Sequence, residues 1–316
     1  MIRRVLTSRA RHRIQRQAAR AAALLDGATL TLLDVGAAEG APPRWQPYGS
    51  VIDYVAVEPD PRSSGAVTNS PVSAFNSRRV ITKGLWSSEG MVDLHLCRKP
   101  LTSSIYAPNT ELLARFPDAS RFDVVGKERM AVTTVDKIAS EHDLYIDAIK
   151  LDVQGAELEV LRGAQQSLRQ VLLVEAEVEF QPMYVNQPLA AEVSDHLARA
   201  GFEFLDYLSL YRWHPQTLDG TGQLVFADAL YVRTPETLSA TDLMTHRKLA
   251  ALSVIYGRGD LLHRISSITT DSALADKLRV LGEIVSQQNS ASLSVLAKAA
   301  RLARLSDGNV RSHVFH

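Results

Sequence analysis

Short apolar runs alternate with helical patterns through the middle of the chain, and this alternation predicts an α/β fold built on a largely parallel sheet. The first run, with Leu32, Leu33 and Val35, is apolar on both sides of the strand, as expected where helices cover both faces of the sheet. Seven runs are assigned to strands of this sheet: 31–35, 51–57, 79–85, 147–152, 171–178, 202–208 and 224–232. A loop rather than a helix joins the last two runs, which predicts an antiparallel hairpin at the sheet edge.

Several shorter elements are expected between these strands. Residues 91–96 are predicted to pair with strand 79–85 as a hairpin, because a tight turn rich in serine and glycine joins the two. An α-helix is expected to follow Gly40, with Pro42 and Pro43 in its first turn. Another strand should end near Thr134, and helical patterns cover 135–141, 156–163 and 189–200.

The two ends of the chain differ from the middle. Residues 1–25 have a helical pattern and contain seven arginines and no acidic residue. The alanines and leucines of residues 240–316 predict three or four helices and little strand. We therefore expect a basic N-terminal helix or tail over 1–25, a central α/β domain over 26–234 and an α-helical C-terminal region over 235–316.

Both end segments have several interpretations. The basic segment is a solvated helix or tail, a peripheral contact with a membrane surface, or an organelle transit peptide. The C-terminal helices pack as a bundle, form a homo-oligomer contact, or take part in substrate delivery.

Composition excludes several classes of protein. The 316 residues are 46% apolar, which is ordinary for a globular protein, and no apolar run approaches the roughly 18 residues of a membrane-spanning helix. Cys97 is the single cysteine, so an internal disulfide and a zinc site made of thiolates are excluded, and a reducing, cytoplasmic location fits best. Lysine plus arginine equals aspartate plus glutamate at 35 each, and the arginines concentrate at the N-terminus. The body of the chain is therefore acidic, and nucleic acid is not an expected partner.

A glycine turn follows the first strand. Gly36 and Gly40 allow positive φ angles and a close approach of the backbone to a ligand. The second strand ends at Glu58, about 20 residues further on, where a doubly wound sheet places a carboxylate that binds ribose hydroxyls. The two features together predict a ligand that contains adenosine. In the alternative interpretation the glycines only turn the chain and Glu58 is a solvated acid.

Other candidate residues lie at the ends of later strands. Gly84, Leu85 and Trp86 lie where the third strand ends and are expected near the nucleotide crevice, although Trp86 is equally compatible with the core. Asp152 stands at the carboxyl end of its strand, where open α/β sheets bind ligands. The alternating acids Glu175, Glu177 and Glu179 share one face of a strand. Either this face opens into a cleft, or the strand stops by Glu175 and the acids are solvated.

The segments LDVGAAEG, VAVEPD and IKLDVQGAELEVLRGA resemble motifs of the FkbM-type methyltransferases, which are S-adenosylmethionine-dependent O-methyltransferases. The resemblance covers roughly residues 30–232, and it departs from the family at Ala38, where asparagine is usual. It implies a seven-stranded Rossmann-like class I methyltransferase sheet with an α-helical C-terminal appendage. It also implies a cofactor site made of Asp34, Gly36, Ala37, Gly40, Glu58, Pro59, Gly84, Leu85, Trp86, Asp152 and Val153.

The function implied by this resemblance is methyl transfer from S-adenosylmethionine to a hydroxyl of a small-molecule or glycan acceptor, in particular a sugar of a surface glycan or glycolipid. Candidates for the group that deprotonates the hydroxyl are Asp152, Glu175 and Glu177, followed by Glu179 and His214. Asp152 could instead act electrostatically or bind a metal. Carboxylates suited to Mg²⁺ are present, but no ligand spacing identifies a metal site.

Two other functions are compatible with parts of the pattern. A nicotinamide-dependent oxidoreductase or epimerase would also use the glycine turn and Glu58, but Ala38 interrupts the usual GxGxxG and no Tyr-x-x-x-Lys pair is present. A non-catalytic scaffold would retain the fold with a decayed site.

Overall fold

The computed structural model describes residues 8–60, 62, 74–215 and 221–288. Ten strands are present in these ranges: β1 (Leu30–Val35), β2 (Ile52–Val57), β3 (Ser77–Ile81), β4 (Gly84–Leu85), β5 (Gly90–Cys97), β6 (Val124–Thr133), β7 (Ala148–Leu151), β8 (Leu173–Glu179), β9 (Phe202–Trp213) and β10 (Gln223–Arg233). The α-helices are α1 (Ser8–Leu25), α2 (Thr110–Leu113), α3 (Val135–Glu141), α4 (Glu157–Arg162), α5 (Ala190–Arg199), α6 (Leu243–Ile255), α7 (Gly259–Ile268) and α8 (272–288).

Seven strands form one sheet in the order β3-β2-β1-β7-β8-β10-β9. All neighbouring pairs are parallel except those of β10, which runs antiparallel to both β8 and β9. The predicted seven-stranded sheet and its antiparallel edge hairpin are confirmed. Strand order reverses between β1 and β7, so the carboxyl ends of the central strands open a crevice at this edge.

The predicted hairpin between residues 79–85 and 91–96 is wrong. The third strand of the large sheet ends at Ile81, and Gly84–Leu85 belongs to a second sheet with the order β4-β6-β5. Strand β6 pairs parallel with β4 on one side and antiparallel with β5 on the other. Two apolar segments joined by a short turn do not reveal that a later strand satisfies the backbone groups of both.

The α-helix expected after Gly40 is also absent from the described residues. A 3-10 helix over Gln46–Val51 takes its place. Pro42, Pro43 and Pro47 remove backbone donors at intervals that a continuous α-helix cannot accommodate. The face of the sheet that such a helix would cover is covered by the two ends of the chain.

The N-terminal and C-terminal helices join one hydrophobic core with the sheet. Leu24 and Leu25 of α1 are fully buried in the same cluster as Leu32 of β1 and Leu249 of α6. The Arg247 guanidinium also donates to the Leu24 carbonyl at 3.2 Å. The predicted helical patterns at both ends are therefore confirmed within the described residues, whereas residues 1–7 and 289–316 lie outside them.

Burial within the chain accounts for the apolar faces of these helices. Homo-oligomer contact through them and the predicted domain boundaries stay predictions. Within the described parts of the chain, the structure contains no helix long and apolar enough to span a membrane. A second core on the other face joins Leu33 and Val35 of β1 with Leu158 and Leu161 of α4.

Candidate functional site

A cavity of about 880 Å³ opens at the carboxyl edge of β1, β2, β7 and β8. This volume lies within the range of cavities that hold a cofactor or a drug-sized ligand. Ten of the residues predicted for the site line it: Gly36, Gly40, Glu58, Pro59, Gly84, Leu85, Asp152, Val153, Glu175 and Glu177. Strands distant in sequence thus bring most of the predicted residues together.

The glycine turn brings two backbone segments unusually close. Gly36 and Gly40 have φ angles of +82° and +80°. A Cβ atom on Gly36 would lie 1.9 Å from the carbonyl oxygen of Asp152. Gly36 is therefore required for the contact between the ends of β1 and β7, in addition to any approach of a ligand.

Glu58 is buried at the end of β2, with 5% of its surface exposed. Its Oε1 accepts a hydrogen bond of 2.8 Å from the backbone N–H of Asp60. Burial raises the pKa of Glu58 to about 7, and the charges of Asp60 and Asp34 act in the same direction. A ligand hydroxyl bound here would therefore contact a carboxyl group whose protonation depends on its surroundings.

Lys150 places a largely buried positive charge at the cavity wall. Its Nζ lies 3.3 Å from Oδ2 of Asp152 and 3.8 Å from Oδ1 of Asp34. Burial opposes this charge, but Asp152 and Asp34 outweigh it and raise the pKa of Lys150 above its ordinary value. Burial raises the pKa of Asp34 to about 6, against the influence of Lys150 and a 2.7 Å hydrogen bond from Tyr54.

Gln154 bridges two of the acids. Its Nε2 donates to Oδ1 of Asp152 and to Oε1 of Glu177, both at 3.0 Å. Its Oε1 accepts a hydrogen bond of 2.9 Å from the Tyr184 hydroxyl, which fixes the orientation of the amide. Gln154 has a φ of +57°, an unusual angle for this residue type that aims the side chain between the carboxylates.

Burial and the neighbouring charge of Asp152 raise the pKa of Glu177 well above its ordinary value. The charged form of Glu177 is therefore disfavoured. Asp228 of β10 stands opposite Glu177 in the strand register. The pKa of Asp228 is likewise raised by burial and by Glu175.

Glu175 has two donors from different parts of the chain. Its Oε2 accepts hydrogen bonds from the Tyr256 hydroxyl at 2.6 Å and from the Arg44 guanidinium at 3.1 Å. The Arg44 guanidinium also lies 4.7 Å from the centroid of the Tyr256 ring. These contacts hold the Glu175 carboxylate in one position at the cavity wall.

Two of the three alternating acids face the cavity, so the cleft interpretation holds for Glu175 and Glu177. Strand β8 continues to Glu179, and Glu175 and Glu177 line the cavity. Glu179 does not line it: the side chain is 1% exposed, and burial and the charge of Glu157 raise its pKa well above the ordinary value.

Four further predicted residues lie outside the cavity lining. Asp34 and Ala37 are buried behind it, and Asp34 reaches the site only through Lys150. Trp86 is partly exposed and packs 6.0 Å from the Tyr106 ring. His214 is exposed on the loop after β9. A residue adjacent in sequence to a lining residue need not line the cavity itself, because successive residues of a strand point to opposite faces of the sheet.

Sequence reasoning missed Lys150, Gln154 and Asp228. Lys150 and Asp228 lie inside otherwise apolar strands. This pattern could have identified them as site residues, because a buried charge needs a partner. Gln154 gave no such signal, since its role depends on its backbone angle. Arg44 and Tyr256 were missed because their contact with Glu175 is not local in sequence.

Within the described ranges, no group of three or more His, Cys, Asp or Glu side chains is arranged to hold a metal ion.

A sequence profile of the FkbM methyltransferase domain matches residues 34–204, which is more than half of the chain. The chain belongs to the FkbM methyltransferase family. The match spans the glycine turn, Glu58, Asp152 and the acids of β8, so the family domain contains the predicted site. It ends within β9, and β10 and the C-terminal helices lie beyond it.

This FkbM methyltransferase is also similar to solved structures at low sequence identity. Magnesium protoporphyrin IX methyltransferase from Synechocystis PCC 6803 with bound SAM has 12% identity and a TM-score of 0.35, over 74% of this chain and 86% of that one. The N-methyltransferase NodS from Bradyrhizobium japonicum WM9, in complex with S-adenosyl-L-homocysteine, has 11% identity and a TM-score of 0.35 over 71% and 87%. No curated protein sequence matches the chain. The family assignment rests on the profile match.

Proposed function

We propose that this protein binds S-adenosylmethionine in the cavity and methylates a hydroxyl of a saccharide acceptor. The observation that carries the proposal is the clustering of Glu58, Asp152, Glu175 and Glu177 along one edge of the sheet. The family to which the chain belongs supports methyl transfer, and the resemblance noted in the sequence supports an oxygen acceptor.

The charges of the cavity fit this cofactor. S-adenosylmethionine has a sulfonium and an ammonium group against one carboxylate, so an acid-rich pocket complements it. Glu58 lines the cavity at the end of β2, where its carboxyl oxygens would accept hydrogen bonds from ribose hydroxyls. The glycine turn leaves the backbone accessible beside it. When bound, the cofactor supplies a methyl group already activated by the sulfonium.

The protein then has two tasks, to orient the acceptor hydroxyl and to remove its proton. Alignment of the hydroxyl with the methyl group contributes about 7–11 kcal/mol. We assign the proton acceptor to Asp152. Burial raises the pKa of Glu177 and disfavours its charged form, and Glu175 is held by Arg44 and Tyr256. Lys150 and Gln154 position the Asp152 carboxylate through hydrogen bonds of 3.3 and 3.0 Å.

Calorimetry with S-adenosylhomocysteine and with NAD tests the cofactor proposal. We expect S-adenosylhomocysteine to bind and NAD not to bind. Binding of NAD alone would support a nicotinamide-dependent enzyme, and binding of neither would support a scaffold. A screen of candidate glycans with cofactor labelled in its methyl group then tests the acceptor class, and transfer only to nitrogen or carbon acceptors would contradict it.

The basic first helix supports contact with an anionic membrane surface as an addition to this proposal. Arg11 and Arg16 are exposed on α1, away from the buried Leu24 and Leu25. Deletion of residues 1–25 would damage the core, so the double variant Arg11→Gln, Arg16→Gln is the better test. We expect less of this variant than of the wild type to sediment with vesicles of phosphatidylserine and phosphatidylcholine. Equal sedimentation would remove the membrane contact from the proposal.

A further inference from the structure

The cavity has opposite charges on two of its walls. Acidic side chains project from the ends of the strands, whereas Lys99 and Arg121 line the cavity from the loops of the second sheet. These two residues are adjacent in space, since the Lys99 backbone N–H donates to the Arg121 carbonyl at 3.0 Å. Together with Ser103, which also lines the cavity, they form a cationic corner.

The Arg121 side chain is held by contacts with aromatic rings, but the hydrogen-bonding capacity of its guanidinium is only partly used. Its guanidinium carbon lies 4.6 Å from the Trp213 ring centroid and 5.1 Å from that of Phe122. Its Nε is buried and has no hydrogen-bond partner among the described residues. The ion pair with Asp118 is long, at 3.9 Å, and Asp118 is 75% exposed. Such a pair contributes little, so Arg121 retains the capacity to bind an anion.

Ser103 adds a hydroxyl donor to the corner. Its Oγ accepts hydrogen bonds from the Cys97 backbone N–H and from the Arg62 guanidinium, each at 3.0 Å. Both lone pairs of the hydroxyl are then used, and its hydrogen can donate to a further acceptor. An arginine, a lysine and a hydroxyl donor are the groups that bind phosphate and carboxylate.

The corner lies next to the residues that we assign to methyl transfer. Ser104, which follows Ser103, donates from its Oγ to the Gln154 carbonyl at 2.7 Å. Gln154 in turn contacts Asp152 and Glu177. A ligand held at the corner would therefore extend toward the Asp152 carboxylate.

We propose that the cationic corner binds an anionic group, a phosphate or a carboxylate, carried by the saccharide acceptor. This inference rests on the proposed function, because it names the acceptor class of the same cavity. The acidic wall binds the cationic cofactor, and the cationic corner favours acceptors that carry a negative charge.

Calorimetry with the full chain tests this inference, with glucose 6-phosphate, glucuronate and glucose as probes, each titrated with and without saturating S-adenosylhomocysteine. We expect the phosphate or the carboxylate sugar to bind about tenfold more tightly than glucose, because a charge-assisted hydrogen bond is stronger than one between neutral groups. The stronger of the two anionic probes identifies the group. Arg121→Gln and Lys99→Gln should each reduce the preference for the anionic sugar.

Arg98→Gln is the matched control. Arg98 is exposed, pairs with Asp123 at 3.0 Å and lies outside the cavity lining, so the preference should persist in this variant. The inference is overturned if neither anionic sugar binds more tightly than glucose, or if the preference survives in both Arg121→Gln and Lys99→Gln. The titration with S-adenosylhomocysteine is read separately, so failure of the cofactor proposal is distinguishable from failure of the corner.

Discussion

A single amide links the two acids nearest the proposed chemistry. Gln154 donates to both Asp152 and Glu177, and such an amide cannot stabilise both charges as well as one. The raised pKa of Glu177 eases this competition, since burial and the neighbouring Asp152 disfavour the charged form of Glu177. Two similar carboxyl groups thus acquire different roles from their surroundings.

Asp152→Asn should reduce turnover by about 10²–10⁴-fold, the usual contribution of a positioned base. Affinity for S-adenosylhomocysteine, measured by calorimetry, should change far less than turnover. Asp195→Asn is the control, because Asp195 is 59% exposed and lies outside the cavity. Turnover of Asp152→Asn at the wild-type rate would remove Asp152 from the site.

Gly36→Ala should lower the free energy of unfolding more than Gly27→Ala or Gly90→Ala. A Cβ would lie 1.9 Å from the Asp152 carbonyl, and the φ of +82° alone costs about 1–3 kcal/mol in a residue other than glycine. Gly27 has a φ of +89°, but no atom lies within 4 Å of its added Cβ, so Gly27→Ala measures the cost of the backbone conformation alone. Gly90 has neither a left-handed φ nor a close contact, so Gly90→Ala is the second control. Urea unfolding should rank the losses as Gly36, then Gly27, then Gly90. Equal losses for Gly36 and Gly27 would contradict the steric contact.

Glu58 should make the protein without ligand less stable as the pH rises from about 4.5 to about 7. Burial raises the pKa of Glu58 to about 7 from an unfolded value of 4.5, so the native state binds more protons than the unfolded state in this window. Glu58→Gln should remove this loss, which is about 2 kcal/mol once relaxation is allowed for. The difference in unfolding free energy between wild type and variant, measured at pH 4.5 and pH 8, tests the sign. The exposed Glu39→Gln should show no such difference between the two pH values.

At the scale of elements, the C-terminal helices contribute directly to the cavity. Tyr256 follows α6, outside the family-matched segment, and its hydroxyl donates to Glu175 at 2.6 Å. Tyr256 itself is nearly buried and meets Trp45 edge to face at 5.7 Å. A helical region outside the family-matched segment therefore orients a carboxylate inside it.

Tyr256→Phe should lower kcat/KM by about tenfold, because it removes a hydrogen bond to a charged group while keeping the ring. Tyr231→Phe is the control: Tyr231 is also buried, and its hydroxyl bonds to Ser194 at 2.8 Å away from the cavity. An unchanged kcat/KM in Tyr256→Phe would contradict a positioning role.

Contacts between elements also show which features of the site and fold could be predicted from the sequence. The glycine turn, Glu58 and Asp152 were predictable as neighbours, because the ends of parallel strands meet at one edge of a sheet. The contact of Tyr256 with Glu175 joins positions 81 apart, and no local pattern encodes it. The pairing of β6 between β4 and β5 was not predictable for the same reason, since each segment alone satisfies several pairings.

At the scale of the whole molecule, the two ends of the chain cover the same face of the sheet. Helix α1 and helix α6 pack together over β1, and Arg247 reaches a carbonyl 223 positions earlier. The three-dimensional unit is therefore larger than the segment that defines the family. A shortened version made of residues 34–204 would lack both covering helices and would expose Ile52 and Tyr54.

The packing of the two chain ends determines the order in which the protein can fold during its synthesis. The first helix emerges early, but the surface that it shares with Leu249 is completed only when nearly the whole chain has been synthesised. Until then the nascent sheet presents an uncovered apolar face, the kind of surface that chaperones bind. Helices α6 to α8 thus complete this face of the sheet, and a ribosome that stalls before them leaves a product that cannot complete its fold.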